Sequence, residues 1–253
     1  PVESELDRTA TPHAELDVVE AAGRSVVYSV LAAGMALPTR HRLSLLATRL
    51  LPTAQTLELP GPLDDALRAV SLDLPVDQEQ TRVAHMALFP PITSQDAPGY
   101  ETAYRGDGIF QQAALLADIA GFYRAHGLRA GGAERERLDH ITVELEFMAV
   151  LTRKEALSLQ DDRLQDALIC RDTAALFLQD HLGCWGPTFG LRASAVTASP
   201  WYRNLGVLIA MWIEHDCSAA GVTPVELVDE PLPQEPPDDL TCGPCPVPQE
   251  GSG

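Results

Sequence analysis

Lysine is almost missing from this chain. Of its 253 residues, 18 are Lys or Arg, and Lys154 is the one lysine, against 36 Asp and Glu, for a formal net charge of −18. Such a field repels nucleic acid and anionic lipid surfaces and draws in basic segments, within a screening distance of about 8 Å at physiological salt. Nucleic acid is thus set aside as a partner, although acidity by itself also serves solubility. No apolar run approaches the ~20 residues of a membrane span. Residues 1–15 lack the basic-then-apolar order of a secretory signal, so the sequence reads as cytoplasmic, without stable membrane insertion. Five cysteines, an odd number, do not suit a disulfide framework. Common catalytic signatures are also missing: there is no Gly-rich phosphate loop, no Gly-x-Ser-x-Gly, no His-Glu-x-x-His, and none of the Glu-x-x-His pairs of a di-iron bundle. His140 and Glu144 would share a helix face, but two ligands without a third do not make a metal site.

What is present is helical periodicity in a chain that is 45% hydrophobic, enough to bury a sizeable core as one domain or two closely packed halves. Glu15 to Ala36 repeats apolar residues through Leu16, Val19, Gly23, Val26, Val30 and Ala33. Shorter stretches follow at Leu43, Leu46 and Leu50 and at Leu63, Leu67 and Val70. Asp77 with Gln80 forms a capping box for a helix that reaches Phe89 and stops at Pro90-Pro91. Phe110 to Ala125 ends at Gly127, a suitable left-handed cap, with Leu116, Ile119, Ala120 and Tyr123 facing inward in part. Asp162 to Leu182 continues the pattern through Leu164, Leu168, Ala175, Leu178 and Leu182, with His181 and Trp185 at its close. Ser199-Pro200 opens the last helix, striped by Leu205, Leu208, Ile209 and Trp212 up to Gly221. Cys170, Cys184 and Cys217 fall in these patterns as small core residues.

The expected architecture is all-α: a single compact helical bundle over 15–221, preceded by an extension, 1–14. It is followed by a tail, 222–253, in which seven acidic residues and no basic one lie among eight prolines. Such a tail cannot bury enough surface to order itself. Its Cys242-Gly243-Pro244-Cys245 copies the spacing of a redox pair but lacks the strand and helix that would tune a thiolate. It reads as a dithiol, with a regulatory disulfide or a partial zinc site as alternatives.

The most informative stretch is Glu134 to Glu155. A Gly-preceded charged turn gives way at Asp139 to a helix with Ile141, Leu145 and Met148 on one stripe and Val143, Phe147 and Val150 beside it, which implies burial on more than one side. Asp139 is placed as the N-cap, with Glu136, Asp139 and His140 clustered at the helix entrance.

The spacing Glu136-x-x-Asp139-His140, followed by Glu144-Leu145-Glu146-Phe147-Met148, resembles the Glu-x-Pro-Asp-His motif of the TorD, DmsD and NarJ family of redox-enzyme maturation chaperones. Leu138 stands where that family usually has Pro. Further likenesses come in the same order from Leu88 to Trp212. They are Leu88-Phe89, preceded by His85 where the family has an aromatic residue; Tyr100-Glu101-x-x-Tyr104; Gly121-Phe122-Tyr123; and Phe177-Leu178-x-x-His181-Leu182-x-x-Trp185.

The resemblance implies an all-helical protein without catalytic turnover and without a cofactor of its own, as a monomer or weak homodimer. Its partner would be the precursor of a molybdenum-cofactor oxidoreductase catalytic subunit, bound through a twin-arginine leader or as apo-enzyme and held for cofactor insertion. The molybdenum cofactor would belong to that client. The implied binding residues are Glu136, Asp139, His140, Tyr100, Glu101, Tyr104, His85, Leu88, Phe89, His181 and Trp185. Glu136 and Asp139 would meet the leader's arginines, and Leu88, Phe89, Tyr100 and Tyr104 its apolar part. The alternatives are a protein that binds or weakly hydrolyses GTP, and a permanent scaffold subunit of a redox complex.

Overall fold

A computed structural model describes residues 17–90, 96–105, 108–128 and 136–225. Expectations for Leu16, for Gly106, for Gly131-Gly132 and for Cys242 and Cys245 lie outside those residues. In chain order the helices are α1 (Val18–Met35), α2 (Arg40–Leu45), α3 (Leu51–Ala54), α4 (Gly61–Leu72), α5 (Gln78–Leu88), α6 (Thr102–Arg105), α7 (Ile109–Ala125), α8 (Ile141–Gln160), α9 (Leu164–Phe177), α10 (Gly183–Val196) and α11 (Pro200–Ala220). Two π-helical turns, Leu46–Leu50 and Leu178–Leu182, join neighbouring helices without a break. No strand occurs among the described residues, so the bundle is all-α as its periodicity implies.

α8 is the axis, with α1 packed along one side and α9 along another, while α10 and α11 pair and α11 also meets α4. Ile141, Leu145, Met148 and Leu151 of α8 are fully buried with Tyr28, Leu31 and Met35 of α1. Each such side chain contributes about 1.5–3 kcal/mol on leaving water. The stripe predicted for α1 is only partly right, since Val19 is 72% exposed and the buried set adds Ala21, Val27, Tyr28 and Leu31. By length and composition α1 does reach what a membrane span needs, contrary to the expectation that no run approaches it, but 61% of it is buried in the bundle.

Capping follows the local chemistry. The Asp77 carboxylate accepts from the amides of Glu79 and Gln80, and Gly127 and Gly221 adopt positive φ just past α7 and α11. At Gly127 the Leu128 amide returns to the Tyr123 carbonyl at 2.9 Å, closing the helix end.

Two expectations are corrected. Asp139 is not the cap of α8: His140 is, its Nδ1 accepting from the Thr142 amide. The helix expected to close near Leu182 runs on instead through a π turn into α10, past Gly183, Gly186 and Pro187. Gly190 and Gly206 let α10 and α11 touch backbone to backbone: a Cβ on either would fall 2.5 Å from the other's carbonyl oxygen.

Candidate functional site

Two stretches distant in sequence are zipped together at the mouth of α8. The Glu101 amide donates to the Asp139 carbonyl and the Ile141 amide to the Gly99 carbonyl, both at 2.9 Å, so Tyr100 faces His140 across a short antiparallel bridge. Gly99 is needed for this approach, because a Cβ there would sit 2.8 Å from the Phe89 ring and 3.1 Å from His140 Nε2.

The bridge turns Asp139 inward. Its carboxylate is fully buried and accepts from the Thr102 amide (3.2 Å), the Thr102 hydroxyl (2.7 Å) and the Arg137 guanidinium (3.0 Å). Arg137 also lies over the Tyr100 ring, 4.6 Å from its centroid. The His140 ring lies between Phe89 and Tyr100, both 5.1 Å away, tilted against the first and edge-on to the second. Burial, then the neighbouring His85, push its pKa down to about 4. It is neutral at physiological pH, and because Nδ1 accepts from Thr142 the proton sits on Nε2. His85 is buried as well, its Nε2 3.1 Å from the Met35 carbonyl, and burial lowers its pKa.

A second layer lies beneath. Glu101, fully buried, pairs with Arg105 and accepts from His181 Nδ1 at 3.1 Å, while His181 Nε2 reaches Asp118 at 3.2 Å. Arg105 also donates to the Asp180 carbonyl. Glu144 accepts from Trp185 Nε1 at 3.0 Å. Desolvation, and then the Glu101 carboxylate, raise Glu144 well above the ordinary carboxylate range. Burial thus favours its uncharged form. Its Oε1, like the Tyr104 hydroxyl beside Trp185, is buried without a hydrogen-bond partner among the described residues. Among those residues no group of three His, Cys, Asp or Glu is arranged to hold a metal ion.

The predicted site residues thus separate into two kinds. His85, Leu88, Glu101, Asp139, His140, His181 and Trp185 are buried, whereas Phe89, Tyr100 and Tyr104 are half-buried and Glu136 is exposed. The expected open acidic mouth is corrected accordingly: of Glu136 and Asp139 only the first faces solvent, because Asp139 is consumed by internal donors. The Tyr104 hydroxyl is likewise enclosed. Sequence reading missed Thr102, Arg105, Asp118, Arg137 and Glu144 as members of the network. Links such as Thr102 to Asp139, 37 positions apart, leave no periodic mark; the i,i+4 spacing of Glu101 and Arg105 and the closeness of Arg137 to Asp139 were the local hints of a pair.

The family model described as nitrate reductase delta subunit matches residues 57–190, which include every one of these site residues. The chain is 30% identical over 194 residues to the perchlorate reductase assembly chaperone protein of Dechloromonas aromatica (strain RCB), covering 72% of this chain and 83% of that protein. It is 33% identical over 110 residues to the chlorate reductase assembly chaperone protein of Ideonella dechloratans, covering 44% of this chain and 55% of that protein. To the selenate reductase assembly chaperone protein of Thauera selenatis it is 32% identical over 107 residues, covering 42% and 53%. The chain spans about half the length of these last two relatives. With over half of its residues inside one family model, and a relative aligned along most of both lengths, this chain belongs to the nitrate reductase delta subunit family, the TorD, DmsD and NarJ type of redox-enzyme maturation chaperone.

Proposed function

We propose that this protein binds the precursor of a molybdenum-cofactor oxidoreductase catalytic subunit in the cytoplasm, holds it until the cofactor is inserted, and performs no reaction of its own. The observation that carries this reading is the internal pairing of the buried polar groups. Asp139, Glu101 and His181 spend their hydrogen bonds on one another and on Arg137, Thr102, Arg105 and Asp118, an arrangement suited to fixing a surface rather than to attacking a substrate.

The network stiffens a rim of Phe89, Tyr100, Tyr104 and Glu136, which offers aromatic area and one carboxylate to an immature polypeptide. The twin-arginine leader is the segment whose charge best suits a chain of net charge −18. The protein works without a cofactor of its own, and the molybdenum cofactor belongs to the client.

The test is the molybdenum content of the reductase purified from cells lacking this protein. A subunit that accumulates without metal, and is restored by the wild-type chain but poorly by Asp139→Ala, is the expected result. Full metal loading in the absence of the chain would reject the reading. Co-purification in fixed ratio with the mature, loaded enzyme would point to a permanent scaffold instead.

A further inference from the structure

Between Ala21 and Leu57 the sequence holds no Asp or Glu, while Arg24, Arg40, Arg42 and Arg49 give that window a formal charge of +4 in a chain of −18. Arg24 is spent inside the bundle on Asp216 and Glu155. The other three lie on one helical strip, in which α2, the π turn Leu46–Leu50 and α3 follow one another without a break. Its outer side carries Arg40, His41, Ser44, Thr48 and Arg49, all exposed. One α turn and one wider π turn together span about eight residues, which sets Arg49 over His41. No ion pair among the described residues takes up Arg40 or Arg49. Gln78 ties the start of α5 to the Pro38 carbonyl, but the carboxylates that α5 brings alongside are occupied: Asp77 caps the Glu79 and Gln80 amides, and Glu79 pairs with Arg82.

The chain leaves the bundle at the end where this strip closes. Asp216 of α11 bonds Arg24 of α1 at 2.7 Å, and a Cβ on the adjoining Gly23 would meet the Leu57 side chain at 3.2 Å. Just past α11 the Val222 amide returns to the Cys217 carbonyl, and Val225 is exposed. Arg49 lies five residues before the end of α3 at Ala54, about 8 Å of helix. Residues 226–239 carry six carboxylates, from Glu226 to Asp239, and no Lys or Arg. Extended, a stretch of that length reaches about 46 Å.

We propose that residues 226–239 fold back along this strip, their carboxylates meeting Arg40, His41 and Arg49. Charge selects the occupant, since the carboxylate-free window faces the part of the sequence where acids stand without a base. Tethering selects it over a free acidic peptide: a short linker supplies an effective concentration of about millimolar, so weak, solvated pairs suffice and no apolar burial is needed. A docked tail neutralises a basic face that repels the cationic client read above. The contact itself does not depend on that reading.

Ser44 of the full chain is replaced by p-benzoylphenylalanine and irradiated at about 50 mM and about 500 mM NaCl, in an equal mixture of light and isotope-labelled copies. Mass spectrometry then locates the crosslink. The expected result is a crosslink within one copy to residues 226–239, about fivefold weaker at the higher salt and about tenfold weaker in Arg40→Glu/Arg49→Glu. Both arginines are exposed, so that variant should keep its helicity by circular dichroism. A second variant, with the six carboxylates changed to Asn and Gln, leaves the bundle untouched and should lose the crosslink as well. A crosslink to residues 1–16, or one joining a light copy to a labelled one, shows another occupant and overturns the inference. A crosslink to 226–239 that survives both high salt and the loss of the six carboxylates overturns it too, as does the absence of any crosslink to 226–239 in the wild-type background.

Discussion

Glu144 and His140 sit four residues apart at the start of α8, and burial favours the uncharged form of each, with opposite consequences for stability. Glu144 has its pKa raised in the folded protein by burial and by Glu101. Its contribution is fully present below the unfolded carboxylate pKa and is lost as pH rises toward the folded value. Replacing it by Gln keeps an acceptor for Trp185 and removes that loss. Glu144→Gln should therefore raise the thermal midpoint at pH 7 by about 3 °C, roughly 1 kcal/mol, with a smaller gain at pH 5, as scanning calorimetry across that range will show. A destabilised variant would mean that the acid is ionised and held by the fold. His140 behaves in the other sense. With its pKa lowered to about 4, the unfolded state binds a proton that the folded state refuses between that value and the ordinary 6.5. Stability then falls as the pH drops through this window, by about 3 kcal/mol at most. His140→Asn, which preserves a capping acceptor for the Thr142 amide, should flatten that acid limb in urea titrations at pH 4.5 and 6.5. An unchanged slope would assign the acid sensitivity elsewhere.

Helix existence was legible wherever apolar residues recur at three and four positions with a cap at each end, as in α5, α7 and α11. It failed at α10, where Gly183, Gly186, Pro187 and Gly190 look like breakers. The glycines serve contact rather than flexibility there: Gly190 meets Gly206 of α11, and Gly186 lies under Ile213, whose Cδ1 would be 2.6 Å from an added Cβ. Pro187 lies inside α10, in the turn after the π turn Leu178–Leu182. The π turn carries His181 to its place between Glu101 and Asp118, which a helix ending at residue 182 would not explain. Gly190→Ala should consequently force α10 and α11 apart and cost about 1–3 kcal/mol in urea unfolding. Gly121→Ala on α7, where the space is open, should instead stabilise by up to about 1 kcal/mol through helix propensity. Equal effects at the two positions would contradict the close packing of α10 on α11.

On the scale of the molecule, a second buried network pins the bundle around Glu155, about three turns along α8 from Glu144. Arg24 of α1 donates to Asp216 of α11 at 2.7 Å and to Glu155 of α8 at 3.2 Å, Arg171 of α9 donates to Glu155 at 2.6 Å, and the Tyr28 hydroxyl donates to Asp216 at 2.6 Å. Four helices are tied at one place by charges that pattern reading had counted only as surface acidity. Asp216→Ala leaves Tyr28 without its acceptor and Arg24 with Glu155 alone, and should cost about 3–5 kcal/mol, read as a lower urea midpoint with no change in client affinity. The two networks divide the molecule's polar interior into one part that holds the helices and one that shapes the rim. The family motif made the second visible in outline through Asp139, His140 and Tyr100. The orientation of Asp139, its donors and the role of Glu144 depend on a bridge between residues 99–101 and 139–141 that no sequence period encodes.

The central claim is that this rim grips an unfinished polypeptide and releases the finished one. Titration calorimetry of the full chain against the reductase catalytic subunit, once freed of cofactor and once loaded, measures this directly. The account predicts one-to-one binding of the cofactor-free subunit with affinity about a hundredfold above that for the loaded enzyme, a difference of about 2.7 kcal/mol. Equal affinity for the two forms would contradict it.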